Sequence, residues 1–268
     1  MNAYWLEQSD ADVPAENHWL SAGEILSLGR MRYPKRRNDW RLGRWTAKRA
    51  LAACLNLPRD LLALANVEIR AAASGAPEVF LFNQTAPVTI SLSHRAGIAM
   101  CAVAHPGTGI GCDLEVIEPR SNAFIADYLT AREQALVAQT LDEERALLVN
   151  LLWSAKESAL KALHVGLRLD TNCMDVSFNN GLPPHADQSQ QDLPFVPMGD
   201  VDTDGWRTLH VRYFGEQVFC GWWRHANQMV RTFVSALPLY VHFRALKSPT
   251  LDSNLESWTD GDTVEIPR

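Results

Sequence analysis

The sequence predicts an α+β fold built from two similar halves, each a set of helices followed by a small antiparallel sheet. Three observations carry this. Apolar residues recur at helical spacing from His18 to Cys54 and again from Ala131 to His164. Alternating, β-rich segments follow each helical block, at residues 88–115 and 175–237. Short turns, Arg95 to Gly97 and His105 to Thr108, join strand to strand as in an antiparallel meander. Helices then strands, twice over, outline a pseudo-duplication, although no residue-level repeat is strong enough to prove it. The expected boundaries are residues 1–118 for the first half, with the basic helix and a strand bearing Asp113 and Glu115, 119–246 for the second, and 247–268 for a polar, acidic tail.

Composition sets the outer limits. With 268 residues, 47% of them hydrophobic, and nine Trp, the chain can bury a full core. No run of about eighteen apolar residues exists, which argues against a membrane span. The N-terminus is polar and acidic, so no secretory leader is expected and the cytoplasm is the expected compartment. Five scattered cysteines without a C-x-x-C or paired His spacing argue against zinc, a redox dithiol or a disulfide framework. A net charge of −6 excludes a general nucleic-acid binder, so an anionic ligand must be met by a local basic cluster.

The first helix runs from His18 to Arg30, and Pro34 then interrupts helical continuity. Asn38 or Asp39 caps a second helix that reaches towards Pro58. On it Arg37, Arg41, Arg44 and Lys48 fall within about 60° of each other, a basic stripe that by itself reads as a solvated face. A break at Ser74-Gly-Ala-Pro77 precedes the strand Val88 to Ser93, which delivers His94 at its end. After the strand Ile98 to Ala104, the stretch Gly109-Ile-Gly-Cys-Asp-Leu-Glu115 follows.

In a strand, residues two apart share a face, so Asp113 and Glu115 look the same way. Paired acids repel and raise each other's pKa unless a cation sits between them, and oxygen ligands suit a hard cation such as magnesium. After helical segments at Ala131 to Leu141 and Glu143 to His164, Gly166 ends the second. Leu148, Leu152, Ala155, Ala159 and Leu163 form its buried stripe, and Glu157 lies off that face with Lys156 beside it and Lys161 at i+4. Strands return at Asp175 to Phe178, Thr208 to Phe214, Val218 to Trp223 and Thr232 to Leu237, with an exposed loop expected at Pro183 to Gly205.

Taken jointly, Arg36-Arg37-x-x-Trp40-x-x-Gly43-Arg44, Ser91-Leu-Ser93-His94, Asp113-x-Glu115 and Trp153-x-x-Lys156-Glu157-x-x-x-Lys161 resemble the 4′-phosphopantetheinyl transferases of the long, single-chain, surfactin-synthetase-activating class. The resemblance spans roughly Arg36 to Gly166. It implies an enzyme that moves phosphopantetheine from coenzyme A, its co-substrate, to a serine of an apo acyl or peptidyl carrier protein, releasing adenosine 3′,5′-bisphosphate. It also implies two α/β halves related by pseudo-twofold symmetry with the site in the cleft between them, and a monomer. Asp113, Glu115 and Glu157 match the Mg2+ ligands, Lys156 and Lys161 the phosphate-facing lysines, His94 with Ser93 a coenzyme A phosphate contact, and Arg44 the coenzyme A arginine. Arg37, Arg41 and Lys48 become further candidates for that phosphate. Glu157, or a water on the metal, is left to take the serine proton. Arg120, Phe124, Tyr128 and Leu129 are the carrier-facing candidates.

One position departs from the family: Gly75-Ala76-Pro77 stands where a Gly-Lys-Pro is usual, and Arg70 or the run Arg30 to Arg36 is the candidate substitute. Two rivals share the same acids. A magnesium-dependent phosphoesterase would hydrolyse coenzyme A without a carrier, and a non-catalytic module would only bind coenzyme A or the carrier.

Overall fold

The computed structural model describes residues 2–58, 60–178, 205–213, 217–236 and 242–245. The loop expected at 183–205 and the tail at 247–268 lie outside the described residues, apart from Gly205. The chain opens on a strand hidden by its polar composition, β1 (Asn2–Ser9). Helix α1 (Ala22–Gly29) starts at a capping box in which Ser21 Oγ accepts from the Glu24 amide and the Glu24 carboxylate accepts from the Ser21 amide. Helix α2 (Pro34–Cys54) begins earlier than its sequence suggests, because Pro34 occupies the first helical position, where its missing N–H costs nothing. After the short α3 (Leu61–Leu64) come β2 (Val67–Ala71), β3 (Pro77–Leu81), β4 (Gln84–Thr85), β5 (Thr89–Arg95), β6 (Ile98–Ala104) and β7 (Ile110–Val116). The second block holds α4 (Asn122–Tyr128), α5 (Ala131–Gln139) and α6 (Asp142–Ala162), then β8 (Met174–Phe178), β9 (Arg207–Tyr213), β10 (Gln217–Ala226), β11 (Met229–Ser235) and β12 (His242–Ala245). The architecture is thus mixed helix and sheet, and every strand pairing is antiparallel except that of β12 with β1.

The expected meander of β5, β6 and β7 does not form. Strands β5 and β6 make a hairpin closed at Arg95 and Ile98. The far edge of β6 is already taken by β1, with Leu6 opposite Cys101, so β7 has no edge there to join. It pairs instead with β11, Asp113 opposite Thr232 and Glu115 opposite Val230. The strand bearing the two acids therefore belongs to the second sheet, ordered β7-β11-β10-β9-β8, and not to the strands of the first half. In return, β12 completes the first sheet, ordered β12-β1-β6-β5. Where β5 meets β7, serine hydroxyls replace a ladder: Ser91 Oγ accepts from the Cys112 amide at 3.0 Å and Ser93 Oγ from the Leu114 amide at 3.2 Å.

Four apolar clusters fill the interior among the described residues, one of them joining α1, α2 and α3 around Trp19, Leu28, Trp45 and Leu64. A second packs α2 against β1, β5 and β6, a third packs α4, α5 and α6 against β8 to β11, and the fourth lies between the two sheets around Trp5, Met100, Cys112, Trp222 and Phe233. Arg231 on β11 crosses the seam to Glu7 on β1 with two bonds of 2.6 and 2.7 Å.

The structure also exposes a repeat that the sequence conceals. Helices α2 and α6 are each 21 residues long and carry Trp45-Thr-Ala-Lys48 and Trp153-Ser-Ala-Lys156 at the same place. Each preceding helix opens on a capping box, Ser21 with Glu24 and Thr130 with Glu133. Each box glutamate then reaches the lysine and a strand amide, Glu24 to Lys48 and Ile69, Glu133 to Lys156 and Val176. The similarity resides in a few buried polar residues, too dispersed to register as a sequence period.

Candidate functional site

Strand β7 can bring its acids close to α6 because residue 111 is glycine: a Cβ there would lie 1.8 Å from the Ser158 carbonyl oxygen. On the neighbouring strand, Thr232 locks the other side of the contact, its hydroxyl bonded to those of Ser154 and Ser158 at 2.8 and 2.7 Å. This packing places Asp113 and Glu115 beside the outer face of α6.

Asp113 is buried, and its Oδ1 accepts from Ser93 Oγ at 2.8 Å and Lys161 Nζ at 2.7 Å. Its Oδ2 is buried with no protein hydrogen-bond partner. A carboxylate oxygen left unpaired in the interior is costly, so this atom fits a cation that protein groups do not supply. Glu157 carries a proton more readily than usual: burial first, then Asp113 and Glu115, push its pKa up to about 7 against the pull of Lys161. Burial and Asp113 raise Glu115 as well. Lys161 loses by burial but gains more from Asp113 and its neighbours, and its pKa stands above the ordinary value. It spends two donors on Asp113 and the Cys112 carbonyl, which leaves a third for a ligand.

Glu115 is already engaged. Trp153 Nε1 donates to its Oε1 at 2.9 Å and Arg120 Nη2 to its Oε2 at 2.9 Å, with Arg95 at 3.7 Å. Among the described residues, no three His, Cys, Asp or Glu side chains are pre-grouped around a single metal position. The donor set nonetheless fits magnesium: Asp113 Oδ2 is unspent, Glu157 makes the acids mutually repulsive, and each Glu115 oxygen keeps a second lone pair.

His94 ends β5 beside α2, where a Cβ on Gly43 would stand 3.8 Å from its ring. Burial lowers its pKa, Asp39 raises it, and Lys161 and Lys35 lower it further. It therefore stands between α2 of the first half and α6 of the second. Arg44 lies over the Trp40 ring at 4.9 Å, with Nε 3.6 Å from Glu24. The exposed cations nearest in sequence are Arg30, Arg32, Lys35 and Arg36.

Several expected placements are corrected. Lys48 is fully buried, its three donors spent on Glu24 at 2.5 Å and the Trp19 and Leu64 carbonyls at 2.9 and 3.1 Å. Lys156 is equally buried, held by Glu133 at 2.6 Å and the Tyr128 and Thr171 carbonyls at 3.0 and 3.1 Å. An ammonium with three partners and no exposure has nothing left for a phosphate. Arg37 bonds the Leu28 and Met31 carbonyls and Arg41 those of Pro14 and Ala15, so the basic stripe is a set of internal staples rather than an open phosphate surface. Ser93 donates its only hydroxyl hydrogen to Asp113 and so orients the acid. Leu129 is fully buried and cannot meet a carrier, and Arg120 is committed to Glu115 and Asn150. Arg70 is held over Phe80 by Glu68 and Asn83, on the sheet formed by β2, β3 and β4. Cys112 is a buried thiol that burial pushes up to about 11, which suits an inert core residue.

Two residues named from the sequence take a duty it did not assign, holding Glu115. For Trp153 a signal existed, since it precedes Glu157 by four positions and shares its face. Arg120 follows Glu115 by five residues through an irregular segment, and spacing alone could not pair them.

The model of the 4′-phosphopantetheinyl transferase superfamily matches residues 109–208, which include β7, α6 and the acids Asp113, Glu115 and Glu157. No curated protein matches the chain. The Helicobacter pylori holo-[acyl-carrier-protein] synthase, solved in complex with coenzyme A, is 21% identical over 38% of this chain and 98% of its own, with a TM-score of 0.27. That score is too low for the likeness to bear on the fold.

Proposed function

We propose that this chain is a 4′-phosphopantetheinyl transferase of the long single-chain class, which transfers phosphopantetheine from coenzyme A to a serine of an apo acyl or peptidyl carrier and releases adenosine 3′,5′-bisphosphate. It works as a magnesium-dependent monomer in the cytoplasm, with two halves related by pseudo-twofold symmetry. The observation that carries the reading is the convergence of Asp113, Glu115, Glu157 and Lys161 inside the segment matched by the superfamily model.

Asp113 through Oδ2 and Glu157 would hold magnesium, with Glu115 sharing its remaining lone pairs. Bound there, the ion would supply Lewis acidity at the phosphoryl group and offset charge on the departing adenosine 3′,5′-bisphosphate. Lys161 turns its third N–H to the pyrophosphate, where negative charge grows as the bond breaks. His94, Arg44 and the exposed run Arg30, Arg32, Lys35 and Arg36 offer charge-assisted donors to the remaining phosphates of coenzyme A. The nucleophile comes from the carrier, so the chain needs no serine of its own in the site. Glu157, or a water on the metal, would take the serine proton.

Mass spectrometry of apo acyl and peptidyl carriers after incubation with coenzyme A and magnesium tests the reading. Addition of one phosphopantetheine to a carrier is the expected outcome. Hydrolysis of coenzyme A at equal rates with and without a carrier would replace it with a phosphoesterase.

A further inference from the structure

We propose that the two buried Glu–Lys nodes are positioning devices with separate duties: Glu24 with Lys48 sets Arg44 for a coenzyme A phosphate, and Glu133 with Lys156 sets Glu157 for the metal. The assignment of those ligands rests on the functional reading above. The nodes themselves stand on geometry.

Each node ties three elements together. Glu24 and Glu133 cap their own helices, accept the lysine through one oxygen, and accept a strand amide through the other, Ile69 at 3.2 Å or Val176 at 2.9 Å. Each lysine closes the node on two carbonyls from flanking loops and helix ends, Trp19 with Leu64 or Tyr128 with Thr171. Both lysines are fully buried and both glutamates nearly so, which means that separating either pair strands a charge in the interior. A node of this kind fixes both the rotation and the height of its long helix.

What the fixed helix presents differs between the halves. One turn before Lys48 stands Arg44, whose Nε also faces Glu24 at 3.6 Å, so the first node holds the arginine directly. The residue after Lys48 is Arg49, with no acid to place. In the second half the residue after Lys156 is Glu157, turned about 100° from it around the helix, so fixing the lysine sets the direction of the acid. Trp153, one turn earlier, delivers its N–H to Glu115 from the same helix. The same device thus serves an anion-binding arginine in one half and two metal-facing acids in the other.

The test compares Lys48→Met and Lys156→Met in the full chain. Because a lone buried carboxylate can unfold the protein, the neutral doubles Glu24→Gln/Lys48→Met and Glu133→Gln/Lys156→Met are measured beside them. Calorimetric titration with magnesium and with coenzyme A is the readout, together with kcat and KM for transfer. The Lys156 variants are expected to bind magnesium about 10- to 100-fold more weakly and to lose kcat, with coenzyme A affinity at the wild-type value. The Lys48 variants should bind coenzyme A on the order of tenfold more weakly with magnesium affinity unchanged. Lys156 variants that lose coenzyme A affinity but keep magnesium would make that lysine a phosphate ligand and overturn the proposal. So would variants that melt earlier yet keep both affinities. A wild-type protein that binds both ligands and modifies no carrier would instead overturn the functional reading alone, since the binding split is still read.

Discussion

Glu157 holds a proton at a pH where an ordinary glutamate has none, because it is partly buried and faces Asp113 and Glu115. Its pKa of about 7 in the fold, against the 4.5 of an ordinary glutamate, means that the folded state binds the extra proton between those limits. Without metal, this group therefore adds stability as pH falls from about 7 towards 4.5 and takes it away as pH rises through about 7. Magnesium competes with the same proton, so its affinity should climb as pH passes upward through that range. Thermal melts across pH, with and without magnesium, check both trends. The Glu157→Gln variant should lose this part of the pH dependence, keep its fold, and transfer phosphopantetheine at least about a hundredfold more slowly. Activity close to wild type in that variant would remove Glu157 from the chemistry. At this scale the acids were legible as Asp113-x-Glu115 and as Trp153-x-x-Lys156-Glu157, since their types and spacing are local. The duties of Lys48, Lys156 and Ser93 were not, because each is decided by partners far away in the chain.

At the scale of elements, the site depends on how closely β7 approaches α6. Gly111→Ala puts a methyl group against the Ser158 carbonyl, where backbone must move to admit it. We expect a loss of about 1–3 kcal/mol in stability and weaker magnesium binding, read by chemical denaturation and calorimetry. Trp153→Phe is a finer probe. It keeps an aromatic ring against Phe124 and Tyr128, and removes the N–H given to Glu115 together with the second ring of the indole. A loss of about 1 kcal/mol or less in stability is expected, with a larger effect on magnesium than on coenzyme A binding. The helices α1, α5 and α6 were legible because apolar spacing is written locally. Helix α4 was missed because exposed polar positions dilute its pattern, strand β1 because its polar residues Glu7, Gln8 and Ser9 are themselves buried or half-buried and break the apolar alternation, and the start of α2 was misplaced by reading Pro34 as a break rather than a beginning.

At the scale of the molecule, the halves are joined by exchanged strands, an apolar seam and ion pairs that include Arg231–Glu7 and Arg95–Glu115. Arg231 is buried and Glu7 largely so, so Arg231→Met strands the carboxylate and should cost on the order of 3 kcal/mol, lowering the melting temperature as one cooperative transition. Two separate transitions would show that the seam does not couple the halves. Among the described residues no helix is long and apolar enough to cross a membrane. The sequence by itself determined the mixed helix and sheet class and most helices and strands, because periodicity and short motifs act over a few residues. Only the tertiary structure decided that β7 joins the second sheet instead of a meander with β5 and β6, that two of the expected phosphate lysines are spent in buried nodes, and that Ser93 serves Asp113. Each of those outcomes is a competition for a single partner, an open sheet edge or a buried carboxylate, and the winner depends on which distant residues reach it first in space.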